Sequence, residues 1–420
     1  MHTRDVVLCY PKRTPVGRYG GALKSVPVQE LASLVVKTIV EESGIDPTKI
    51  DDVILGQGSP NGAAPALGRV AALDAGLPTT VPGMQLDRRC GSGLQAIITA
   101  GAHIATGAAD VIIAGGAESM SRTEYTVDAD VRWGAKGGNM IFRDRLQEAR
   151  EAAGGKHHPI AGGMIETAEN LRREYSIERV AQDELAARSH RNAAAAQEQS
   201  LFDAEIIPVT VPQRKGEPIV VDKDEHVRPD SSPDKLSKLL AVMRKEDEEA
   251  TVTAGNASGQ NDGAAAVLVT TREKAEELGL TPMVTLKGWA LAGVDPERMG
   301  IGPVEASRKV MDRLGITFDD LDLIELNEAF AAQALAVLKE WDISADDPRF
   351  NPHGSGISLG HPVGATGARI VVTAAHHLHR TGGKLALVTM CIGGRGRLST
   401  GPRSLVQVVA CTTIALGYSP

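Results

Sequence analysis

The sequence predicts an α/β fold made of two copies of one unit, and three observations lead to this prediction. Apolar, strand-like runs alternate with amphipathic helical segments, which is the order typical of α/β proteins. The pattern at residues 30–57, "ELASLVVKTIVEESGIDPTKIDDVILGQ", recurs at residues 304–328, "VEASRKVMDRLGITFDDLDLIELNE". The 420 residues include 45 glycines but only 3% aromatic residues, so the core must consist of small aliphatic side chains in closely packed layers.

The two copies share one order of elements. A strand, "DVVLCY" in the first copy and "MVTLKGW" in the second, is followed by an amphipathic helix, a Gly-Ile turn and a short strand. A glycine-rich turn, an alanine-rich helix and a buried strand follow, starting from Cys90 in the first copy and His361 in the second. Ile50 and Leu321 are 271 residues apart, as are Cys90 and His361, and this constant offset indicates a duplication. The alternation of strands and helices predicts mostly parallel sheets that are buried on both faces.

Four segments are expected along the chain. Residues 1–119 form the first part of an N-terminal α/β domain, and residues 251–272 complete it with a glycine-rich loop and a strand. Residues 120–250 are loop-rich and charged and form an inserted loop domain, a type of segment in which binding residues often lie. Residues 273–420 form a C-terminal α/β domain, in which residues 395–420 are atypical.

Composition and charge exclude several classes of protein. The net charge of −8 and the isoelectric point of about 5.8 argue against a nucleic-acid-binding protein, which needs a basic face. The four cysteines are widely spaced without a CxxC pair, so they fit neither a zinc site nor a disulfide scaffold. The N-terminal segment does not resemble a signal peptide, and no run approaches the about 20 apolar residues of a membrane span. We expect a cytoplasmic protein without nucleic-acid or membrane partners.

The two equivalent glycine-rich turns are candidates for chemistry. Ligands of open sheets bind beyond the carboxyl ends of the strands, near helix N-termini, so the duplication should bring Cys90 and His361 to one cleft. The helix dipole, with Arg88 and Arg89, is expected to acidify the thiol, and the imidazole supplies a base. Such a pair is used in acyl transfer. Taken alone, Cys90 is as readily a small buried side chain, and His361 a helix cap.

Two further strand ends point to the same place. Asn327 and Glu328 follow the apolar strand of "IELNEAF", where an asparagine can orient a water or donate to an oxyanion. The alternative for Asn327 is a simple helix cap. Cys391 ends the strand "LALVTM" and precedes Gly393 and Gly394, whose backbone N–H groups are free to face a substrate. Cys391 is either a second acid/base group or a buried cysteine.

Several motifs together resemble the thiolases, that is, the acetyl-CoA acetyltransferases and 3-ketoacyl-CoA thiolases. These motifs are "CGSGLQA", "GGAESMS", "TAGNASGQNDGAAA", "NEAFAAQA", "GISLGHPVGATGAR" and "CIGG", in the family's order over about residues 3–394. The resemblance implies the thiolase fold, with two duplicated α/β domains in a five-layer αβαβα arrangement and an inserted loop domain. It also implies a homodimer or homotetramer.

The resemblance implies a role for each site residue. Cys90 matches the nucleophile that becomes acylated, and His361 matches the base that activates it. Cys391 matches the acid/base that moves the α-proton of acetyl-CoA. Asn327 resembles the residue that holds a water, which with His361 forms one oxyanion hole, and the backbone N–H groups of Cys90 and Gly393 form the other. Two thiols and one imidazole need no metal, and two half-reactions imply ping-pong kinetics.

Coenzyme A is implied as a substrate, and no permanently bound cofactor is expected. By resemblance, the loop domain binds coenzyme A, with Arg228 near its nucleotide end and Ser258 and Met164 along the pantetheine and the acyl group. Other basic residues of this domain are alternatives for phosphate binding or belong to a solvated loop. They are Arg214, Lys215, Lys235 and Lys238.

The chain departs from the family pattern after "CIGG". Arg395 stands where the family has a third glycine, near the expected oxyanion hole, and "GRLSTGPRSLVQVVACTTIALGYSP" does not resemble the usual final strand. One hypothesis is a change of reading frame late in the coding sequence. We therefore predict a thiolase that condenses two acetyl-CoA or cleaves 3-ketoacyl-CoA, with a catalytically impaired CoA-thioester-binding protein as the alternative. A condensing enzyme acting on carrier-protein thioesters is disfavoured, because such enzymes generally lack a counterpart of Cys391.

Overall fold

The structure is a computed structural model and describes residues 4–134, 137–151, 157–158, 160, 162–393 and 409–419. The strands in these residues are β1 (Val6–Arg13), β2 (Gly17–Arg18), β3 (Asp52–Gly56), β4 (Gly83–Leu86), β5 (Val111–Ser119), β6 (Tyr125–Thr126), β7 (Arg143–Asp144), β8 (Val209–Val211), β9 (Ile219–Val221), β10 (Asn261–Thr271), β11 (Pro282–Val294), β12 (Leu323–Leu326), β13 (Leu385–Met390) and β14 (Val409–Tyr418). The α-helices are α1 (Val28–Ser43), α2 (Leu67–Asp74), α3 (Ser92–Thr106), α4 (Arg145–Glu151), α5 (Gly163–Glu174), α6 (Arg179–Glu198), α7 (Pro233–Leu236), α8 (Arg272–Leu278), α9 (Gly302–Leu314), α10 (Ala331–Trp341), α11 (Gly356–Leu359) and α12 (Thr366–Thr381).

The principal helices of the two copies end in the same way. In each of α1, α3, α9 and α12, a glycine in the left-handed conformation follows the last helical residue and donates its N–H back to the final turn. Only glycine adopts this conformation without steric cost, so the sequence itself ends each helix there. These glycines are Gly44, Gly107, Gly315 and Gly382.

The main sheet has the strand order β12-β13-β14-β11-β1-β10-β5-β3-β4, with β2 paired to β10 at its side. Among the described strands of this sheet, only β3 with its neighbours β4 and β5, and β12 with β13, pair in parallel. The other pairs of this sheet are antiparallel, so the prediction of mostly parallel sheets is wrong. Three of these antiparallel pairs involve β10, which the chain reaches through the long insertion and not through the single crossover helix that usually joins parallel strands.

The order of strands repeats on either side of the β1–β11 pair. Outward from β1 come β10, β5 and β3, and outward from β11 come β14, β13 and β12. Each of these strands thus has a counterpart at the same place in the other half, whereas β4 and β2 have none among the described strands. This arrangement is the duplication that the 271-residue offset predicts.

The final strand completes the second half of the sheet. β14 lies between β11 and β13 and pairs with both over most of its length, as β10 does between β1 and β5. The described part of the atypical tail therefore carries a strand that the fold uses. The change of reading frame stays a hypothesis, and residues 394–408 lie outside the described residues.

Three of the apolar cores hold the elements together in five layers. One core joins α1 and α2 to the first half of the sheet, and another joins α9 and α10 to the second half. The third core contains side chains of α3 and α12 together with strands of both halves, so these two helices form the middle layer. The five layers are therefore outer helices, the first half of the sheet, the middle helices, the second half of the sheet and outer helices. This order confirms the fold class predicted from the sequence.

The insertion between β5 and β10 contains α4 to α7 and two small hairpins, β6–β7 and β8–β9. It is tied to β1 by buried ion pairs from Arg13, whose guanidinium lies 2.6 Å from Glu205 and 2.7 Å from Asp224. The domain boundaries given above stay a prediction. Over the part of the chain that the structure describes, no helix is both long and apolar enough to span a bilayer.

Candidate active site

Cys90 lies in a 3₁₀ turn, Arg89–Gly91, that leads directly into α3. Arg89 has a φ of 47°, a left-handed conformation that is uncommon for a residue with a side chain. Ser92 holds this turn, because its Oγ accepts from the Arg88 N–H at 2.9 Å and donates to the Arg89 carbonyl oxygen at 2.6 Å. The turn fixes Cys90, which is half-buried, in front of the helix N-terminus.

The environment of Cys90 does not acidify its thiol. Burial raises the pKa of the Cys90 thiol, and the Gly393 N–H and the Arg89 charge lower it by less than burial raises it. The expectation that the helix dipole, Arg88 and Arg89 acidify this thiol is therefore wrong, because the cost of desolvating a thiolate outweighs their attraction. A neutral thiol needs a base to become a nucleophile.

His361 meets the requirements of that base. Its side chain is buried, and burial lowers the pKa of the His361 imidazole to about 4, so the ring is neutral at pH 7. The His361 backbone N–H donates to Asn261 Oδ1 at 2.8 Å, which fixes the start of the turn before α12. A neutral, held imidazole can accept a proton.

The hydrogen bonds also assign the tautomer of His361. Thr366 Oγ1 lies 2.7 Å from His361 Nδ1 and 2.8 Å from the Pro362 carbonyl oxygen. The hydroxyl has one hydrogen, which it donates to the carbonyl oxygen, so Nδ1 must carry a hydrogen and donate to Oγ1. Nε2 is then the basic nitrogen, and it is buried without a hydrogen-bond partner among the described residues. The ring therefore presents a free lone pair.

The turns that carry Cys90 and His361 meet at the N-termini of α3 and α12. A Cβ added at Gly93 would lie 2.9 Å from the Gly364 carbonyl oxygen, and one added at Gly367 would lie 2.5 Å from the Leu94 backbone nitrogen. Backbones can approach this closely only because glycine has no side chain. The two helices therefore begin side by side, and the structure brings together the two turns that the duplication related.

Asn327 lies directly after β12 and is fully buried. Neither its Oδ1 nor its Nδ2 has a hydrogen-bond partner in the part of the chain that the structure describes, and an unpaired buried amide in a native site calls for a water or a substrate. Glu328 next to it is a structural partner, because its carboxylate accepts from Ser189 Oγ at 2.6 Å and from Asn351 Nδ2 at 2.8 Å. Of the two, only Asn327 has polar atoms free for chemistry.

Cys391 and Gly393 lie beside Cys90 from the other half. The Gly393 N–H faces the Cys90 sulfur, and the proximity of Cys90 contributes to raising the pKa of Cys391. Cys391 is buried, and burial raises the pKa of its thiol well above the ordinary value, so it is protonated at neutral pH. Met164 at the start of α5 packs against the apolar cluster that contains Cys391, and its sulfur would lie 2.7 Å from a Cβ at Gly393.

The two other predicted coenzyme A contacts differ in position. The Ser258 N–H donates to the Ala329 carbonyl oxygen at 2.9 Å, which places Ser258 beside the Asn327 segment. Arg228 is exposed, and its backbone N–H donates to His190 Nδ1 at 3.2 Å. The structure therefore places Ser258 next to the segment that carries Asn327, whereas Arg228 is exposed on the insertion.

Two residues of the predicted site region lie outside the described residues. They are Gly394 and Arg395, so the expectation that Arg395 lies near the oxyanion hole stays a prediction. Among the residues that are described, no group of three or more His, Cys, Asp and Glu side chains is arranged to hold a metal ion.

Two residues that hold His361 in place were not predicted from the sequence. Thr366 fixes its tautomer and Asn261 holds its backbone, as described above. Thr366 lies in the quoted motif "GHPVGATGAR", five residues after His361, and this short spacing at a helix start was the available signal. Asn261 gave no such signal, because it lies 100 residues before its partner.

A duplicated five-layer α/β fold with a thiol and an imidazole at paired helix N-termini presents the type of nucleophile and base that acyltransferases use. The family model for the thiolase N-terminal domain matches residues 6–273, and the model for the thiolase C-terminal domain matches residues 280–400. The chain belongs to the thiolase family.

Individual relatives agree with this membership. The chain is 45% identical to an acetyl-CoA acetyltransferase of Chromobacterium violaceum over 395 residues, which cover 93% of this chain and 97% of the relative. It is 47% identical to a beta-ketothiolase of Cupriavidus necator over the same shares of both chains. The crystal structure of the Bacillus anthracis acetyl-CoA acetyltransferase superposes with a TM-score of 0.91 at 41% identity, and the match covers 100% of both chains.

The chain is thus an enzyme, an acyltransferase of the thiolase type. The alternative interpretation, a catalytically impaired binding protein, is not supported, because the relatives that span nearly all of this chain are named as enzymes. The observation that prompted it, an atypical tail, is also weakened by β14, which completes the sheet.

Proposed function

We propose that this thiolase condenses two acetyl-CoA molecules to acetoacetyl-CoA or cleaves 3-ketoacyl-CoA with coenzyme A. Cys90 attacks the thioester carbonyl while His361 Nε2 accepts its proton, and the acyl group passes to the Cys90 sulfur as coenzyme A leaves. The observation that carries this assignment is the buried, unpartnered Nε2 of a neutral imidazole whose Nδ1 is fixed by Thr366. A thiol whose pKa is raised reacts only with such a base nearby.

The second half-reaction uses Cys391. In condensation, the Cys391 thiol gives its proton to the departing coenzyme A, and the resulting thiolate removes the α-proton of the second acetyl-CoA. The carbon nucleophile attacks the acyl-cysteine, and the Cys90 sulfur leaves and regains its proton from His361. In cleavage, Cys391 returns a proton to the leaving carbon. Its position beside Cys90 supports this role, because carbon–carbon bond formation needs a proton-transfer group next to the acyl-enzyme. The two steps with a covalent intermediate give ping-pong kinetics.

Two oxyanion holes stabilise the developing negative charges. The backbone N–H groups of Cys90 and Gly393 form one, and the Gly393 N–H directed at the Cys90 sulfur supports this. A water held by Asn327, together with His361, forms the other, which the unpaired Asn327 amide supports. Loss of one such donor typically lowers kcat by ~10²–10³-fold.

Coenzyme A binds along the inserted loop domain as a substrate, and no cofactor is permanently bound. Met164 and Ser258 flank the pantetheine and the acyl group, as their positions next to Gly393 and Ala329 suggest. The exposed Arg228 pairs with the phosphates of the nucleotide end.

The enzyme works as a homodimer or homotetramer in the cytoplasm, in fatty acid metabolism. β4 is an edge strand of the described sheet, and a bare edge is a template for pairing with a second chain. Large apolar side chains are also exposed around the β6–β7 hairpin, as expected for a surface that another chain covers. They are Tyr125, Trp133, Met140, Ile141 and Phe142.

The described cysteines are free thiols, which suits a reducing compartment.

The direct test is the covalent intermediate. The enzyme is incubated with acetoacetyl-CoA and quenched in acid, and its peptides are mapped by mass spectrometry. We expect one acetyl group on Cys90, none in Cys90→Ala, and an unchanged adduct in Cys9→Ala, a buried thiol of β1 that serves as the control. A folded parent enzyme with no acetyl group, or with the group on another residue, contradicts the proposal.

A further inference from the structure

Glu118 is a fully buried carboxylate at the end of β5, and the mechanism above does not use it. Its Oε2 accepts two backbone N–H groups, from Gly58 at 2.8 Å and from Gly364 at 3.0 Å. Gly58 follows β3 in the first half of the molecule, and Gly364 precedes α12 in the second half. One oxygen atom therefore joins a loop of each half.

Both loops are part of the active site. Gly364 lies three residues after His361, in the same turn. The carbonyl oxygen of Gly58 accepts a hydrogen bond from the guanidinium of Arg89, which precedes Cys90. A chain of contacts thus runs from the Cys90 turn through Gly58 and Glu118 to the His361 turn.

The two loops pack closely against each other and against β5. A Cβ at Gly58 would lie 2.9 Å from Glu118 Oε2, and one at Gly364 would lie 2.8 Å from the Gly58 backbone nitrogen. A Cβ at Gly116 would lie 2.1 Å from the Gly364 carbonyl oxygen. The loops are in backbone contact, and their N–H groups converge on the single acceptor that Glu118 supplies.

We propose that Glu118 is a positioning residue that holds the His361 turn against the Cys90 turn, and so sets the reach of His361 Nε2 to the Cys90 sulfur. The inference rests on the proposed function. Asn261 fixes the first residue of the His361 turn and Glu118 fixes its fourth, so the turn is tethered at both ends.

The charge of Glu118 makes the inference testable by pH. Burial raises the pKa of the Glu118 carboxyl to about 7, and the Gly58 and Gly364 N–H groups and the nearby Arg89 charge lower it by less. The other titratable groups around it are Cys90, His361 on the tethered turn and, on the neighbouring strand, Asp262. As pH falls through about 7, the carboxylate becomes a neutral acid, and its bonds to the two N–H groups lose their charge assistance.

The predicted effect is on kcat and not on KM. Misplacement of a reacting group by about 1 Å can cost ~10²-fold in rate. Glu118→Met keeps the approximate volume and removes both acceptors, so kcat should fall roughly 10- to 100-fold. The KM for acetoacetyl-CoA should change less than about twofold, because Glu118 is buried behind the turns. Alkylation of Cys90 by iodoacetamide should slow in parallel, because the base is displaced.

If Glu118→Met does not fold, Glu118→Gln tests the positioning role of Glu118. A glutamine mimics the neutral acid, so its kcat should be independent of pH between 6 and 8 and should match the low-pH plateau of the parent. The parent should rise about fivefold over the same range, the ratio expected between a neutral and a charge-assisted hydrogen bond.

Glu169 offers a matched control. It is fully buried, and its Oε1 accepts two backbone N–H groups, from Thr251 at 2.8 Å and Val252 at 2.7 Å, in the inserted domain. Glu169→Gln should lower thermal stability and retain the step of kcat near pH 7.

Three outcomes overturn the inference: a folded Glu118→Met with kcat within twofold of the parent, a Glu118→Gln that retains the step, or a Glu169→Gln that loses it. The parent is assayed in parallel for acetylation of Cys90. If the proposed function is wrong, the parent shows no acetyl adduct on Cys90. If only this inference is wrong, the parent is acetylated and the variants do not differ from it as expected.

Discussion

Replacing Thr366 with valine should leave the fold intact and slow the acylation of Cys90. Valine has nearly the shape of threonine but cannot accept the hydrogen bond from His361 Nδ1, which is 2.7 Å long in the structure. The buried N–H would then have no partner, or the ring would move its hydrogen to Nε2, the nitrogen that must act as the base. In either case the active form of His361 becomes less favourable.

The magnitude follows from the cost of an unsatisfied buried donor. Leaving such a group without a partner costs about 1–3 kcal/mol. If this cost falls on the active tautomer, acylation slows by roughly 5- to 150-fold, since 1.4 kcal/mol is a factor of ten. The Thr366→Ser variant keeps the hydroxyl and should recover most of the rate.

The assay is a single-turnover measurement of Cys90 acetylation by acetoacetyl-CoA, with thermal unfolding measured on the same samples. Thr373→Val is the matched control, because Thr373 lies two turns further along α12 and donates to Glu205 Oε1 at 3.0 Å, away from His361. It should lose stability and keep its acylation rate. If Thr366→Val acylates within twofold of the parent, the tautomer assignment is refuted.

Three further predictions concern the same site. Cys391→Ala should acetylate Cys90 normally but lose acetoacetyl-CoA formation by ~10²-fold or more, and normal condensation would exclude the assigned role. Arg228→Ala should raise the KM for coenzyme A by roughly 3- to 10-fold at constant kcat, as expected for one exposed charge–phosphate contact; an unchanged KM would remove Arg228 from the binding site. In Glu118→Gln, acylation should stay constant from pH 8 down to about 5, because the pKa of His361 is lowered to about 4 and the ring stays neutral there. A fall centred near pH 6.5, the ordinary histidine value, would contradict this.

The sequence could predict the parts of the fold that are encoded locally. Glycines such as Gly44 and Gly315 end helices by their own conformational preference, and the offset between Cys90 and His361 follows from a repeat that is visible in the letters. Strand direction is different. Whether β10 runs parallel or antiparallel to β5 depends on how the chain returns from a long insertion, and local patterns contain no information on that path.

For the site, residue identity was accessible and electrostatics were not. The helix N-terminus and Arg89 next to Cys90 suggested an acidic thiol, because both features can be read in the sequence. Desolvation acts in the opposite direction, and it depends on how tightly distant segments close over the sulfur. Glu118 was missed for the same reason, since its two partners are 60 and 246 residues away.

The neutral state of the pair fits the reaction that is proposed. Burial raises the pKa of the Cys90 thiol and lowers that of His361, so the thiolate–imidazolium pair is disfavoured before substrate binds. In the proposed reaction, the proton moves to Nε2 only when the sulfur attacks a carbonyl carbon, because at that moment the negative charge passes to an oxygen to which the Cys90 and Gly393 N–H groups donate hydrogen bonds. Interactions that exist only in the transition state raise kcat, whereas a thiolate formed in advance would lie in the ground state and gain less. A site that desolvates both partners and aims backbone donors at the oxygen therefore favours acyl transfer and leaves the resting thiol unreactive.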